Sequence, residues 1–394
     1  MAGAAAATQP TQQAAPQPGS AFGYPGQTIE IFQEEDTFGL GYTPATGAQV
    51  PVNGILPMRK TDVVAYWRAQ YVNSLSVTGT PTVSPYAPYS LLGPTKLTSQ
   101  NQVTFVDVQN GVDLYSVNYV HPMYPRRNIT TPYLLPNSVQ STIPGQTAPT
   151  TSAFDGTLEI VFPGALWFEN YLDLSLGGQV QAPGHGAIVS PQYMSGTKTI
   201  QLQSTLNPGV GSDFSNGLWY GGTTPAVTGT GSLNLYRQGW LQTAAPFLPL
   251  VYGVQRNVVS QVFPIGAQTS AQITLPQIGQ VGWIGLRFYD PTSASNSLTP
   301  PVNYLNLKIA GGIYRFQDTP STNQGRLLDQ HGTGFPQGTM GWDLWLDSHG
   351  RRNNAGGLDT INTAAPTIEI KMASALSSEA QVIVTYDALS WIGG

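Results

Sequence analysis

Two short stretches near the C-terminus, 367-TIEIKM-372 and 381-QVIVTYD-387, decide the fold class. In the first, Ile368, Ile370 and Met372 share one phase of a two-residue alternation, and Thr367, Glu369 and Lys371 share the other. Successive strand side chains point to opposite faces, so this spacing predicts a half-buried β-strand. The second stretch repeats the pattern with Val382, Val384 and Tyr386. Working outward, the same reading applies to Leu158, Ile160 and Phe162 around Glu159, to Leu233 with Leu235, and to Ile200 with Leu202. Short apolar runs at 63–72, 103–108, 114–120, 281–289, 304–309 and 342–346 add further expected strands. With 44 Gly and 32 Pro in 394 residues, about a fifth of the chain, turns recur too often for a long amphipathic helix. One short helix is expected at 323–330, where Leu327 and Leu328 sit among polar residues. The pattern is all-β, of sandwich or jelly-roll type, with long loops and minor helix.

Apolar residues make up 40% of the chain and aromatics 10%, enough for large cores, whereas charged residues make up only 9%. An ordinary soluble protein carries about a quarter charged residues. The exposed surface must therefore consist largely of Gln, Asn, Ser, Thr and Gly, which repels copies of itself weakly and suits dense packing. A net charge of -5 speaks against nucleic-acid binding, which draws on clustered Lys and Arg. The tight basic pairs Arg59-Lys60, Arg126-Arg127 and Arg351-Arg352 read as solvated loop pairs. With no Cys there is no disulfide framework, thiolate metal site or Cys nucleophile. No Lys or Arg precedes Arg59, so the positive region of a secretory signal is missing, and no apolar run approaches the 18 or so residues of a membrane-spanning helix. The chain reads as neither secreted by that route nor membrane-integral.

Size then divides the chain. A single sandwich rarely exceeds about 250 residues, and the expected strands outnumber the eight of one jelly roll. Two tandem eight-stranded jelly rolls are the expected solution, 28–245 and 246–394, divided at the Pro-punctuated stretch 243-TAAPFLP-249. Residues 1–27, uncharged and rich in Ala, Gln, Pro and Thr, read as a flexible arm. The Pro-dense segment 122–149 reads as a long loop. An echo of Thr157-Leu158-Glu159-Ile160 in Thr367-Ile368-Glu369-Ile370 reads as chance similarity between strands.

A search for chemistry finds no active site, and no catalytic, cofactor-binding or metal residue is assigned. Asp343, Asp347 and His349 come nearest to a metal-ligand spacing, but Asp347-Ser348-His349-Gly350 reads as a turn closing a strand. His185 and His331 sit in expected loops without a neighbouring nucleophile. Glu34, Glu35 and Asp36 form one acidic run, but neighbours on a strand face opposite ways and do not make a hydrolytic carboxylate pair. Glu159 and Glu369 fall on solvent-side phases. Trp167, Trp219, Trp240, Trp283, Trp342, Trp345 and Trp391 could form a sugar-binding platform, but most lie in apolar runs, which favours core packing. Asn128-Ile129-Thr130 matches a glycosylation acceptor pattern and, without a secretory signal, reads as incidental.

The order of several motifs resembles the double jelly-roll major capsid protein of tectivirus-type, internal-membrane bacteriophages. Gly93-Pro94-Thr95-Lys96-Leu97, followed by 103–107 and Asn110, is similar to a turn leading into an apolar strand and an acidic loop in that family. Residues 158–177 resemble the middle of its first barrel, 233–246 its last strand and the crossover, and Phe335-Pro336-Gln337-Gly338 a motif before the last strands of the second barrel. The resemblance spans most of 45–390. It implies a non-enzymatic shell subunit of a virion, assembled in the host cytoplasm. Two side-by-side jelly rolls per chain and three chains per capsomer would approximate a hexagon. Implied partners are the chain itself and minor capsid, vertex or cement proteins, with no direct contact to nucleic acid and no cofactor. Family members generally carry an N-terminal helix, often basic, that faces an internal membrane. This arm is uncharged and Pro-bearing, with Glu34, Glu35 and Asp36 after it, which speaks against direct membrane contact. The competing expectation is a carbohydrate-binding or glycan-degrading β-sandwich, such as a phage spike or lectin-like protein.

Overall fold

The computed structural model describes residues 28–41, 49–57, 62–100, 103–120, 134–135, 138–139, 149–163, 171–173, 179–181, 199–211, 214–241, 254–309, 313–331, 338–345, 357–361 and 364–391. Two sets of eight strands carry the fold. The first set is β1 (Thr28–Gly41), β2 (Val50–Pro57), β3 (Asp62–Thr78), β4 (Leu92–Ser99), β5 (Thr104–Val108), β6 (Ala153–Pro163), β7 (Thr199–Leu206) and β8 (Ala226–Leu241). The second is β9 (Val254–Pro264), β10 (Ser270–Thr274), β11 (Gln280–Tyr289), β12 (Val302–Ile309), β13 (Ile313–Asp318), β14 (Thr339–Asp343), β15 (Thr367–Met372) and β16 (Gln381–Trp391).

The strand orders are β1-β8-β3-β6 and β2-β7-β4-β5 in the first set, and β9-β16-β11-β14 and β10-β15-β12-β13 in the second. Adding eight to each strand number of one set produces the other. Each set is therefore a jelly roll of the same topology. Helices fall at matching joints too. Helix α1 (Gly111–Val120) follows β5 and α3 (Pro320–His331) follows β13, while a 3-10 turn at Tyr89–Leu91 precedes β4 and α2 (Ala294–Leu298) precedes β12. The tetrapeptide echo lies on β6 and β15, which occupy different places in their rolls, and so is no trace of this repetition.

Alternation produces the cores. In β15 Ile368, Ile370 and Met372 are buried, and through its antiparallel pairing with β12, Ile368 faces Leu307 and Ile370 faces Leu305. Val382, Val384 and Tyr386 of β16 join Ile284, Leu286 and Phe288 of β11 in this second core. The first core gathers Trp67, Tyr71, Leu97, Phe105, Ile160, Leu202 and Leu233, with the Trp67 and Phe105 rings 4.9 Å apart. Each large apolar side chain removed from water contributes about 1.5–3 kcal/mol.

Three sequence expectations need correction. The strand expected at 342–346 begins earlier and ends at Asp343, where the Asp343 carboxylate turns the chain by accepting from the Trp345 N–H. Residues 114–120, expected as a strand, form the greater part of α1. Gly111 to Val117 are buried all round, so this helix shows no 3.6-residue polar face and its apolar run imitates a strand. Gly93 to Leu97 is not a turn but lies inside β4, paired with β7. The expected helix at 323–330 is present as the core of α3. In the Phe335–Gly338 motif only Gly338 is among the described residues. Its φ is +73°, and a Cβ there would lie 2.0 Å from the Ser297 carbonyl oxygen, so only glycine enters β14 this way.

Helix α3 shields the free edge of β14. Asn323 Nδ2 donates to the Gly341 carbonyl at 2.9 Å and its Oδ1 accepts from the Gly341 N–H at 3.0 Å, so one side-chain amide completes the pairing a further strand would make. Asp318 fixes the same corner by accepting from Trp342 Nε1 at 2.7 Å and from Arg326 Nη1 at 2.9 Å, while the Arg326 guanidinium lies 4.5 Å from the Phe316 ring centroid.

Candidate functional site: the seam between the rolls

The β2-β7-β4-β5 sheet does not end at β5. It continues into β9, which pairs with β5 in parallel through Val106 opposite Val258 and Asp107 opposite Val259. One sheet thus crosses both rolls, and Gln109 N–H reinforces the junction by donating to Ser260 Oγ at 2.7 Å.

The outward phase of the β9-β16-β11-β14 sheet faces this seam. Pairing aligns Trp283 with Asp387, Gly285 with Thr385 and Arg287 with Ile383, and places Val258 opposite Asp387. In a free sheet these positions would meet water. Here β11 and β16 are buried on both faces, and Val258, Trp283 and Leu327 pack into the first core rather than the second. Trp345 lies directly over Gly282, where a Cβ would fall 1.4 Å from the indole.

Helix α1 fills the seam. Asn110 caps it, its Oδ1 accepting from the Val112 N–H at 2.9 Å and its Nδ2 donating to the Ser215 carbonyl at 2.9 Å. Asp113 in the first turn is favoured by the helix dipole and meets Arg287 of β11 side-on, Nε to Oδ1 at 2.9 Å and Nη2 to Oδ2 at 3.3 Å. The side chains are 5% and 1% exposed. Burial alone would lower the Arg287 pKa, but the charge and hydrogen bond of the Asp113 carboxylate, together with Tyr86 and Tyr289, hold the guanidinium above its ordinary value. Beside the pair, burial pushes the Tyr86 phenol up to about 12, with Arg287 pulling it down and Asp113 pushing it up. A second buried pair faces the seam from the sheet itself: Arg256 donates to Asp387 through Nε at 2.6 Å and Nη2 at 2.5 Å. Of the two pairs, Asp113–Arg287 joins an element of the first roll to a strand of the second, whereas Arg256–Asp387 ties two strands of the second roll on the face toward the seam.

The residues singled out from sequence sit elsewhere. Asp343 ends β14 and accepts from the Trp345 N–H at 3.1 Å, a strand-end turn; Asp347 and His349 lie outside the described residues. No group of three potential metal ligands occurs among the described residues. His185 is also outside them, and His331 ends α3. Glu34, Glu35 and Asp36 lie on β1, where the register against β8 shifts by one residue between Glu34 and Asp36. Glu159 and Glu369 are outward but engaged, Glu159 with Gln70 Nε2 at 2.7 Å and Arg68 at 3.8 Å, Glu369 with Lys308 and Asn306. Trp219, Trp283, Trp342 and Trp345 are fully buried, as core packing requires; Trp167 lies outside the described residues. Asn128 to Thr130 and the arm 1–27 also fall outside, as does nearly all of 122–149. The seam charges were missed, although each interrupts an apolar run: Arg287 in WIGLRFY, Asp387 in VTYDALSW, Asp113 in GVDLYSV. No helix among the described residues is long and apolar enough to cross a membrane.

No protein-family model matches the sequence, and comparison with curated proteins gives no match. Solved structures do match. The STIV MCP crystal structure superposes with a TM-score of 0.56 at 15% identity, over 93% of this chain and 97% of that one. The chain has the double jelly-roll fold. A double jelly roll from the atomic structure of Sulfolobus Turreted Icosahedral Virus matches with a TM-score of 0.55 at 16% identity, over 93% of this chain and 91% of that one. PBCV-1 VP54 matches with a TM-score of 0.54 at 12% identity, over 93% and 95%.

Proposed function

We propose that this chain is the major capsid protein of an icosahedral virus, a non-catalytic subunit that self-assembles into trimeric, pseudo-hexagonal capsomers. The observation that carries this reading is the seam. Two rolls of identical topology are locked side by side by a shared sheet and a buried Asp113–Arg287 pair, which makes one chain two rigid sectors of a tile. The double jelly roll that this chain shares with the STIV MCP supports it. The division at 245/246 between rolls, and a separate arm at 1–27, belong to the same reading. The arm contacts neighbouring capsomers or a minor shell component, because it has no Lys or Arg to attract anionic lipid. Localisation follows as the virion, with assembly in the host cytoplasm. The glycan-binding alternative rested on exposed tryptophans, and burial of Trp219, Trp283, Trp342 and Trp345 leaves it without support from these four. Light scattering of the purified chain tests the reading: a species of three 42.0 kDa chains is expected, and a strict monomer at high concentration would sink it.

A further inference from the structure

The chain contains three Asn-Gly dipeptides, at Asn53-Gly54, Asn110-Gly111 and Asn216-Gly217. Asparagine is a thermolabile residue, and glycine after it opens a specific route. The glycine amide nitrogen attacks the side-chain carbonyl carbon of the asparagine. A new N–Cγ bond replaces the Cγ–Nδ2 bond, ammonia leaves, and a cyclic succinimide remains. Water then opens the ring. Cleavage on the side-chain carbonyl yields aspartate, and cleavage on the main-chain carbonyl yields iso-aspartate, in which the backbone runs through the side chain. Glycine favours the first step because no Cβ crowds its nitrogen. The reaction takes only water, but it requires a backbone that bends at the Asn-Gly bond and solvent access to that bond.

The fold treats the three dipeptides differently. Asn53 is exposed but lies within β2, where it faces Gln203 of β7 and Gly54 faces Leu202, so the ladder holds the backbone extended. Asn110 is only 3% exposed, and a Cβ on Gly111 would lie 2.4 Å from the Tyr89 carbonyl oxygen, so the second dipeptide is packed away from water. Asn216 is exposed, in a bend at 214–218 between β7 and β8 that belongs to no strand or helix. Gly217 has a φ of +143°, a backbone conformation suited to glycine. Ser84 anchors the two ends of the bend, its Oγ donating to the Phe214 carbonyl and its N–H to the Leu218 carbonyl at 2.8 Å. Asn216 and Gly217 lie between these anchors.

We propose that Asn216 is a site of spontaneous covalent modification, converting to aspartate and iso-aspartate in the folded chain while Asn53 and Asn110 stay intact, and that the iso-aspartate form loosens the cap of helix α1. The link to α1 is direct. Ser215, next to Asn216, offers its carbonyl to Asn110 Nδ2 at 2.9 Å, and Asn110 is the residue that caps α1 in the seam. Iso-aspartate inserts one more carbon into the backbone between Ser215 and Gly217, and both of these residues are buried. Gly217 has no slack to absorb it, because even a Cβ there would lie 2.8 Å from the Gly209 carbonyl oxygen. The Ser215 carbonyl must therefore shift, which frees Asn110 Nδ2 and weakens the hold on the first turn of α1. Either product also adds one negative charge, taking the formal net charge from -5 to -6. The proposal stands on the single chain and does not depend on the capsomer reading.

The test ages the full unsubstituted chain in mildly alkaline buffer and maps its peptides by mass spectrometry, with iso-aspartate counted by enzymatic methyl labelling. The peptide holding Asn216 is expected to gain one mass unit and to label at least tenfold faster than those holding Asn53 and Asn110. In denaturant the three dipeptides, all followed by glycine, should react at similar rates, which assigns the selection to the fold. A folded chain in which Asn216 reacts no faster than the other two overturns the site. Amide exchange then tests the link to α1. Residues 111–113 are expected to exchange at least fivefold faster in the iso-aspartate fraction than in the fresh chain, while Asn216→Asp, which adds the charge without the extra carbon, should exchange like the fresh chain. Equal exchange in all three, or equally fast exchange in Asn216→Asp, overturns the coupling through the backbone. Asn216→Gln, aged alongside, is expected to acquire no label in this peptide, and label there would place the reaction at another residue and overturn the assignment.

Discussion

Replacing Asp113 by Asn keeps the shape of the α1 first turn but leaves the Arg287 guanidinium buried without its counter-charge. At 2.9 Å and an effective dielectric of about 20, the pair attracts with roughly 6 kcal/mol, against a desolvation cost of several kcal/mol per ion. Removing one partner keeps the cost and loses the attraction, so Asp113→Asn and Arg287→Met are each expected to lose about 3–5 kcal/mol of stability. The double variant Asp113→Leu with Arg287→Met removes both charges and is expected to recover most of that loss. Guanidinium unfolding followed by tryptophan fluorescence measures all four species, and the seam position of Trp283 gives the signal a reporter at the junction. Because the first core includes Val258, Trp283 and Leu327 from the second set of elements, the unsubstituted chain should unfold in one transition and Asp113→Asn in two. The raised Arg287 pKa means that its contribution is complete below the ordinary arginine value and fades only as pH rises through the still higher folded value. Moving from pH 6 to pH 9 should therefore leave the coupling unchanged. Additive single effects, each within about 0.5 kcal/mol of zero, would refute the view that the pair locks the rolls.

Other outcomes follow from single contacts. Asn323→Ala should cost about 1–3 kcal/mol and, by baring the β14 edge, increase aggregation on storage, both readable by melting and turbidity. Gly282→Ala should destabilise by several kcal/mol in thermal unfolding, since the Trp345 indole occupies the space of the new methyl. Glu369 is held below its ordinary pKa chiefly by its hydrogen bond to Lys308. Its contribution is present above the unfolded value of 4.5 and is lost as pH falls through the lower folded value, so Lys308→Met should flatten the stability profile in that acid window. Metal analysis of the purified protein should find no stoichiometric ion and Asp343→Asn should retain the fold; bound calcium or zinc lost in that variant would overturn the strand-end reading of Asp343.

The strands legible in the sequence are those with one wet and one dry face. In β15 that condition holds throughout, and the alternation of Ile368, Ile370 and Met372 reads directly. In β16 the inward phase is equally plain, but Ile383 and Leu389 in the other phase show that the outward face is covered as well, which a period of two by itself does not reveal. Strand β1 escaped notice because its register shift at the acidic run breaks the alternation begun by Ile29 and Ile31. Helix α1 imitates a strand for the opposite reason: wedged between two rolls, it has no exposed side from Gly111 to Val117, and only the Asn110 cap followed by Asp113 marks its start. The seam depended on pairing between residues as distant as Asp113 and Arg287, which no local pattern encodes. What the sequence did offer was their rarity, since a charge within an apolar run of so charge-poor a chain needs a partner.

Electron microscopy of the assembled product tests the central claim most directly. The account predicts hexagonal tiles of three chains, each chain contributing two adjacent barrels in one fixed relation, arranged in closed shells. Isolated particles of one chain, or assemblies in which the two barrels of a chain vary in relative position, would contradict it.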